Sequence, residues 1–178
     1  MIIIFEGLPD SGKTTLIEQF LKENRKFKPW KYKGQLTSGL DKSDKTFSER
    51  VRTIQTTSVL LSNIFHFNIV LDRFHLSEAI YSEIFRGLTS SLSYFALIEH
   101  TIEDKVLIVY CEANLSTILQ RQKDRNKKDF GSQQLLNMKT IYDYLLSKTK
   151  FPVIKVKLNN PTDTRVALKA IRSKLEKI

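Results

Sequence analysis

The chain holds one cysteine, Cys111, so an intrachain disulfide and a thiolate zinc cluster are both excluded. Its place at the end of an apolar run marks it as a buried, inert thiol. Three dispersed histidines supply no metal-ligand motif. No apolar run approaches the ~18 residues of a membrane span, and the N-terminus shows neither the basic flank nor the cleavage site of a signal peptide. A soluble cytoplasmic protein with no membrane partner is expected. Acidic residues are also short, nineteen against twenty-nine Lys and Arg, a net charge of +10. That balance suits an anionic ligand, but it suits nucleic acid or a lysine-rich surface equally well. With 178 residues, 41% of them hydrophobic, and no repeat or low-complexity tract, one compact domain over 1–178 is expected.

Only six glycines are present, and two of them fall in Gly7 to Thr15, GLPDSGKTT. This stretch fits the phosphate-loop pattern G-x-x-x-x-G-K-[ST] at every fixed position. Gly7 and Gly12 let the backbone curl so that N–H groups of residues through Asp10, Ser11, Gly12, Lys13, Thr14 and Thr15 can meet phosphates. Lys13 adds a cation, expected to lie exposed in the empty loop, and Thr14 a hydroxyl suited to Mg²⁺. The apolar run Met1 to Phe5 before it, and Leu16, Ile17, Phe20 and Leu21 at helical spacing after it, give the strand–loop–helix context that the mechanism needs.

Along the rest of the chain, strands are expected near Pro29–Tyr32, Asn68–Asp72, Lys105–Cys111 and Pro152–Val156. Helices are expected from Lys13 to Glu23, from an N-cap at Ser43 to Phe65, over His75–Arg86 and Ser91–Ile102, from Leu115, and over Gln133–Leu146. A last helix opens on Asn160 as N-cap with Pro161 at its first position. The alternation predicts an α/β sandwich with a parallel, doubly wound sheet.

Ligands of such sheets bind at the carboxyl ends of the strands, where the loop and Asp72-Arg73 both emerge. Asp72 is a candidate to share Mg²⁺ with Thr14, and Arg73 offers a planar fork for a phosphate or ribose oxygen. Arg121 and Arg125, four apart on a helix, are candidates to close over transferring phosphates as part of a mobile lid at 121–131. Asn126-Lys127-Lys128-Asp129 matches a guanine-reading pattern only in letters, since no buried strand precedes it and no D-x-x-G follows the third strand.

With these residues in place, the chain resembles the thymidylate kinase and deoxynucleoside kinase group of phosphate-loop kinases. Asp72 to Tyr81, DRFHLSEAIY, is similar to the D-R-x-x-x-S-x-x-x-[YF] stretch of thymidylate kinases, with Ser77 and Tyr81 at the family's offsets. The resemblance implies a five-stranded sheet in the order 2-3-1-4-5, ATP and Mg²⁺ as cofactors, Arg73 on the acceptor phosphate and Tyr81 in the acceptor pocket. Phe47, Arg50 and Arg52 are candidates for the helix Phe and Arg that read the base in thymidylate kinases. Gln55, in Ile54-Gln55-Thr56-Thr57, resembles the base-reading Gln of nucleoside kinases. The chain departs from thymidylate kinases at Pro9, where they carry an acid, and over Gln35 to Leu40, which lacks their Arg-Glu-Pro segment. The expected activity is transfer of the ATP γ-phosphoryl group to thymidylate, with a nucleoside as alternative acceptor. A nucleotide-dependent regulatory protein or a nucleic-acid-associated ATPase is the alternative of another class. A small nucleotide is the expected partner, nucleic acid is not, and a homodimer is left open.

Overall fold

The continuous apolar run at the N-terminus becomes a central strand because both of its faces are covered. In the computed structural model, which describes residues 1–30, 45–88, 91–103, 105–126 and 130–178, Ile2 and Ile4 of β1 (Ile2–Glu6) point into one apolar layer. Ile3 and Phe5 point into the other. Strands β2 (Lys28–Trp30), β3 (Ile69–Asp72), β4 (Val106–Glu112) and β5 (Val153–Lys157) complete a five-stranded sheet in the order 2-3-1-4-5. Every pairing is parallel, with Phe5 opposite Asp72 on one side and Val109 on the other. This is the expected three-layer α/β sandwich. Pro29 is accommodated because β2 is an edge strand.

Helices α1 (Lys13–Glu23) and α7 (Asp163–Leu175) cover one face through Leu16, Phe20, Leu168 and Ile171. The other face packs against α2 (Lys45–Phe65), α3 (His75–Arg86), α4 (Ser91–Thr101) and α6 (Ser132–Lys148), with Leu76, Ile80, Ile98, Met138 and Tyr142 fully buried. Helix α5 (Leu115–Asp124) leads from β4 toward the candidate lid. Cys111 is buried, and burial pushes its thiol up to about 12, as an inert side chain requires.

Several boundaries shift by a residue or two from expectation, those of the last helix and of β2 among them. The last helix starts at Asp163, with Thr162 as its N-cap, and Pro161 lies in the turn before it. Asp163 Oδ2 accepts the N–H groups of Asn159 and Asn160 at 2.8 and 2.9 Å, which holds those residues in a tight turn and delays the helix. Strand β2 begins one residue earlier than read, at Lys28, and its expected end at Tyr32 lies outside the described residues, as do the Ser43 cap and the segment Gln35 to Leu40. No described helix is long and apolar enough to cross a membrane.

Candidate active site

The loop between β1 and α1 is fixed by a close approach. Gly7 has φ 137°, and a Cβ there would stand 2.3 Å from the Cys111 carbonyl oxygen, so no other residue fits. Gly12, at φ 93°, caps α1 in the left-handed region. Parallel pairing brings the ends of β1, β3 and β4 to one edge, and a cleft of about 580 Å³ opens there. Asp10, Gly12, Lys13, Thr14 and Thr15 line its floor, Asp72 and Arg73 one side, and Arg121 and Arg125 the other. The sequence candidates from three separate segments therefore share one cavity. Gly7 and Ser11 lie beneath it, both buried.

Lys13 is not exposed as expected: only 5% of it is accessible, and its Nζ donates to the carbonyls of Gly7 at 2.9 Å and Leu8 at 2.6 Å and to Ser11 Oγ at 3.2 Å. The ammonium is thus held by the loop's own carbonyls. Burial, and then the charge of Arg73, lower its pKa from 10.5 to about 7.

Arg73 has φ 67°, a left-handed position at the strand end, where its N–H donates to the Phe5 carbonyl at 2.9 Å. The guanidinium lies 5.4 Å from the Tyr81 ring centroid and reaches Ser77 Oγ at 3.4 Å. Burial opposes its charge, but Tyr81, Tyr142, Glu6 and Asp72 outweigh that and hold the cation firmly.

Ser77, read as substrate-binding, is 4% exposed and committed to the framework. It donates to Glu6 Oε2 at 2.5 Å and lies 2.8 Å from Tyr142 Oη. Glu6, fully buried at the end of β1, also accepts the N–H of Phe74 at 2.8 Å and of Ser77 at 3.3 Å. This carboxylate caps the first turn of α3, where a negative charge is favoured. Tyr142 closes the cluster by donating toward Glu6 Oε2 or the Gly7 carbonyl, 3.2 Å from each. Burial, with Glu6 beside it, pushes the Tyr142 phenol well above its ordinary pKa, so it stays protonated.

On the opposite wall, Arg121 Nη1 donates to the Asp10 carbonyl at 3.0 Å and Nη2 to those of Leu158 at 2.7 Å and Asn159 at 3.2 Å. Arg125 pairs with the Asp10 carboxylate, whose other oxygen is buried without a hydrogen-bond partner among the described residues. Of the candidate lid, Lys127 to Asp129 lie outside the described residues.

A second polar group lines α2, α3 and α4. Gln55 is 1% exposed and accepts a hydrogen bond from Tyr94 Oη. Arg52 reaches Ser82 Oγ at 3.0 Å and Glu78 at 3.7 Å, and lies over the Tyr94 ring at 4.9 Å. Arg86 pairs with the same Glu78 at 3.2 Å and lies over Phe47 at 4.9 Å. Tyr81 continues this wall through Phe85, 5.5 Å away. Arg50 is exposed on α2 and takes no part in this group. Sequence reading passed over Glu6, Glu78, Arg86, Tyr94 and Tyr142. Glu6 alone carried a signal, as an acid ending a continuous apolar strand, since a buried carboxylate must find donors.

Thr14, exposed at the start of α1, and Asp72, at the end of β3, face the same cleft and suit a hard cation held jointly with phosphate oxygens. No group of three or more His, Cys, Asp or Glu converges among the described residues, so such a cation would depend on the nucleotide.

No family model matches the sequence, and no curated protein does. Solved structures do. The YorR protein of Bacillus subtilis, in complex with phosphorylated GDP, is 20% identical with a TM-score of 0.69, covering 99% of this chain and 96% of that one. Deoxyadenosine kinase from M. mycoides with bound dATP is 17% identical with a TM-score of 0.71, covering 99% and 100%. The same kinase with dCMP and a flexible dCDP is 18% identical with a TM-score of 0.68, covering both chains fully. The chain therefore shares the fold of these solved nucleotide kinases, a parallel five-stranded α/β sandwich in the order 2-3-1-4-5.

Proposed function

We propose that the chain is a kinase that transfers the γ-phosphoryl group of ATP, with Mg²⁺, to a deoxynucleoside or deoxynucleoside monophosphate. The observation that carries this reading is the single cleft where the loop, Asp72-Arg73 and Arg121-Arg125 meet. Phosphoryl transfer needs fixed cations around developing negative charge, and the cleft offers four from three sides. Lys13 turns from the Gly7 and Leu8 carbonyls to the β and γ phosphates when they fill the loop. Arg121 and Arg125 leave Asp10 for the transferring group as residues 121–131 close. Thr14 and Asp72 would hold Mg²⁺, whose charge would offset that of the phosphates.

For the acceptor, the buried group of Gln55, Tyr94, Arg52 and Glu78 favours a nucleoside. It offers amide and phenol groups suited to a base edge, and Glu78 pairs with both Arg52 and Arg86. The deoxyadenosine kinase neighbours agree with that acceptor. Thymidylate is the second reading, favoured by Arg73 beneath Tyr81 at the thymidylate-kinase spacing. Incubation with radiolabelled ATP tests the class: label passes to a soluble nucleoside or nucleotide. Hydrolysis stimulated by DNA, with no label transferred, would instead establish a nucleic-acid-associated ATPase.

A further inference from the structure

The φ of Arg73, 67°, lies in the left-handed region, which disfavours any residue with a Cβ. Such a backbone persists only where the surrounding structure over-determines it. On one side the Arg73 N–H bonds the Phe5 carbonyl, and the Glu6 carboxylate takes the N–H of Phe74. On the other the chain runs into His75, the first residue of α3, which is fully buried.

The His75 ring stacks on Phe95 of α4, with centroids 5.4 Å apart and planes 19° apart, and meets Phe74 and Phe151 edge-on at 5.4 and 6.3 Å. Its Nε2 lies 3.0 Å from Glu99 Oε1. That carboxylate, buried on α4, also accepts Thr149 Oγ1 at 2.5 Å and the Lys150 N–H at 2.8 Å. Burial opposes its charge, but the hydrogen bonds from His75, Thr149 and the Lys150 N–H outweigh that and hold the carboxyl below its ordinary pKa. An ionised carboxylate only accepts, so Nε2 carries the proton that faces it. One buried anion therefore joins the start of α3, α4 and the link from α6 into β5.

Stability alone does not call for this pair. In a pocket walled by three phenylalanines an apolar side chain would serve as well, since replacing a buried polar pair by apolar groups of like volume is often neutral or stabilising. Nδ1, moreover, is buried with no hydrogen-bond partner among the described residues, which itself disfavours a histidine there. What the pair adds to apolar packing is direction. The bond from Nε2 to Glu99 fixes how the ring is turned, and with it the residue two positions after Arg73. We infer that His75 and Glu99 are a positioning pair for Arg73, holding its left-handed backbone and so the place of its guanidinium in the cleft. Neither of the two lines that cleft, so they act through Arg73 and not on a ligand. The consequence for catalysis rests on the function proposed above, whereas the restraint on the Arg73 backbone does not.

Three variants of the full chain test it. His75→Leu fills the phenylalanine pocket without the hydrogen bond, Glu99→Gln keeps an acceptor and loses the charge, and His75→Gln returns an N–H near the place of Nε2. In the first two, amide exchange followed by NMR should be at least ~10-fold faster at the Arg73 N–H and change less than about twofold at the Ile69 N–H, which bonds the Met1 carbonyl at the far end of β3. Turnover in both should fall at least ~10-fold with the KM for ATP within about twofold, and His75→Gln should recover most of the loss. In an Arg73→Ala background, His75→Leu should lower turnover by less than about twofold more, because the pair works through that side chain. If His75→Leu does not fold, Glu99→Gln carries the same comparisons. Unchanged exchange at Arg73 overturns the proposal, as does exchange that rises equally at Ile69 or a loss of turnover that multiplies in the double variant. A parent that transfers no label refutes the kinase reading alone, and the exchange at Arg73 and Ile69 then decides the positioning by itself.

Discussion

Ser77 and Glu6, 71 positions apart, are joined by a hydrogen bond of 2.5 Å from Ser77 Oγ to Glu6 Oε2. The bond ties the first turn of α3 to the end of β1; Asp72 ends β3, and Arg73 lies on the short link between β3 and that turn. Their position relative to the phosphate loop is thus set in part by the buried Glu6 carboxylate.

The first prediction concerns that carboxylate. Glu6→Ala leaves the N–H groups of Phe74 and Ser77 buried without their acceptor, and should cost about 3 kcal/mol of stability. Urea unfolding measures it, and Glu6→Gln, which keeps one acceptor oxygen, should lose less. A midpoint within error of the parent for Glu6→Ala would show that the cluster is incidental.

Lys13 gives the second, from its pKa of about 7 against an ordinary 10.5. Below pH 7 the side chain is charged both folded and unfolded, so the penalty for burying it is fully present. Between 7 and 10.5 the unfolded chain keeps a proton that the folded chain has shed, so the penalty fades as pH rises. Lys13→Met should therefore be more stable than the parent at pH 6, with the difference shrinking toward pH 10, and should transfer no phosphate. Nucleotide triphosphate restores the ammonium, so binding at pH 8 should take up close to one proton. Calorimetry in buffers of different ionisation enthalpy reads this directly. No uptake at pH 8 would mean that the lysine is already charged in the empty loop.

The sheet was legible because buried parallel strands are continuous apolar runs and their order follows from the phosphate-loop likeness, which β1, β3 and β4 bear out. That the loop and the two strand-end residues lie beside one cavity was legible for a related reason: their placement follows from local backbone geometry, which short motifs encode. The environment of Lys13 was not, since its burial depends on carbonyls that only the folded loop aims at it. Nor was the commitment of Ser77, because Glu6 and Tyr142 reach it from elements far away in sequence. Pro161 misled because a proline suits both a helix start and the turn before one, and Asp163 decided between them.

Arg121 and Arg125 supply the third prediction, because their present partners differ. Arg121 bonds three backbone carbonyls, so Arg121→Ala should lower stability by about 1–2 kcal/mol and turnover at least ~100-fold. Arg125 is half exposed and paired with Asp10, so Arg125→Ala should leave stability within about 0.5 kcal/mol while still lowering turnover about tenfold. Thermal melts and steady-state rates of both variants provide the comparison. Unchanged turnover in both would return these arginines to a structural role.

The last prediction separates the two acceptors. If Arg73 holds an acceptor phosphate, losing that charge-assisted contact costs about 1.5–3 kcal/mol, and the monophosphate should be preferred at least ~10-fold in kcat/KM. If the Gln55 group reads the base of a neutral acceptor, the nucleoside should match or exceed its monophosphate, and the choice of base should depend on that group. The geometry favours the second outcome, because Gln55 is buried and oriented by Tyr94, while Arg73 is already drawn to Tyr81 and Ser77. Assay of the four deoxynucleosides and their monophosphates with ATP and Mg²⁺ decides it. Tyr94→Phe keeps the ring and removes the hydroxyl that fixes Gln55, so it should raise the nucleoside KM roughly tenfold and leave the ATP KM within about twofold. Arg73→Lys, which keeps the charge and loses the fork, should then lower kcat for the nucleoside more than it raises its KM. Thymidylate preferred tenfold over thymidine, with Tyr94→Phe unaffected and Arg73→Lys raising the thymidylate KM, would instead establish the monophosphate acceptor, since only a site built around Arg73 responds in that order.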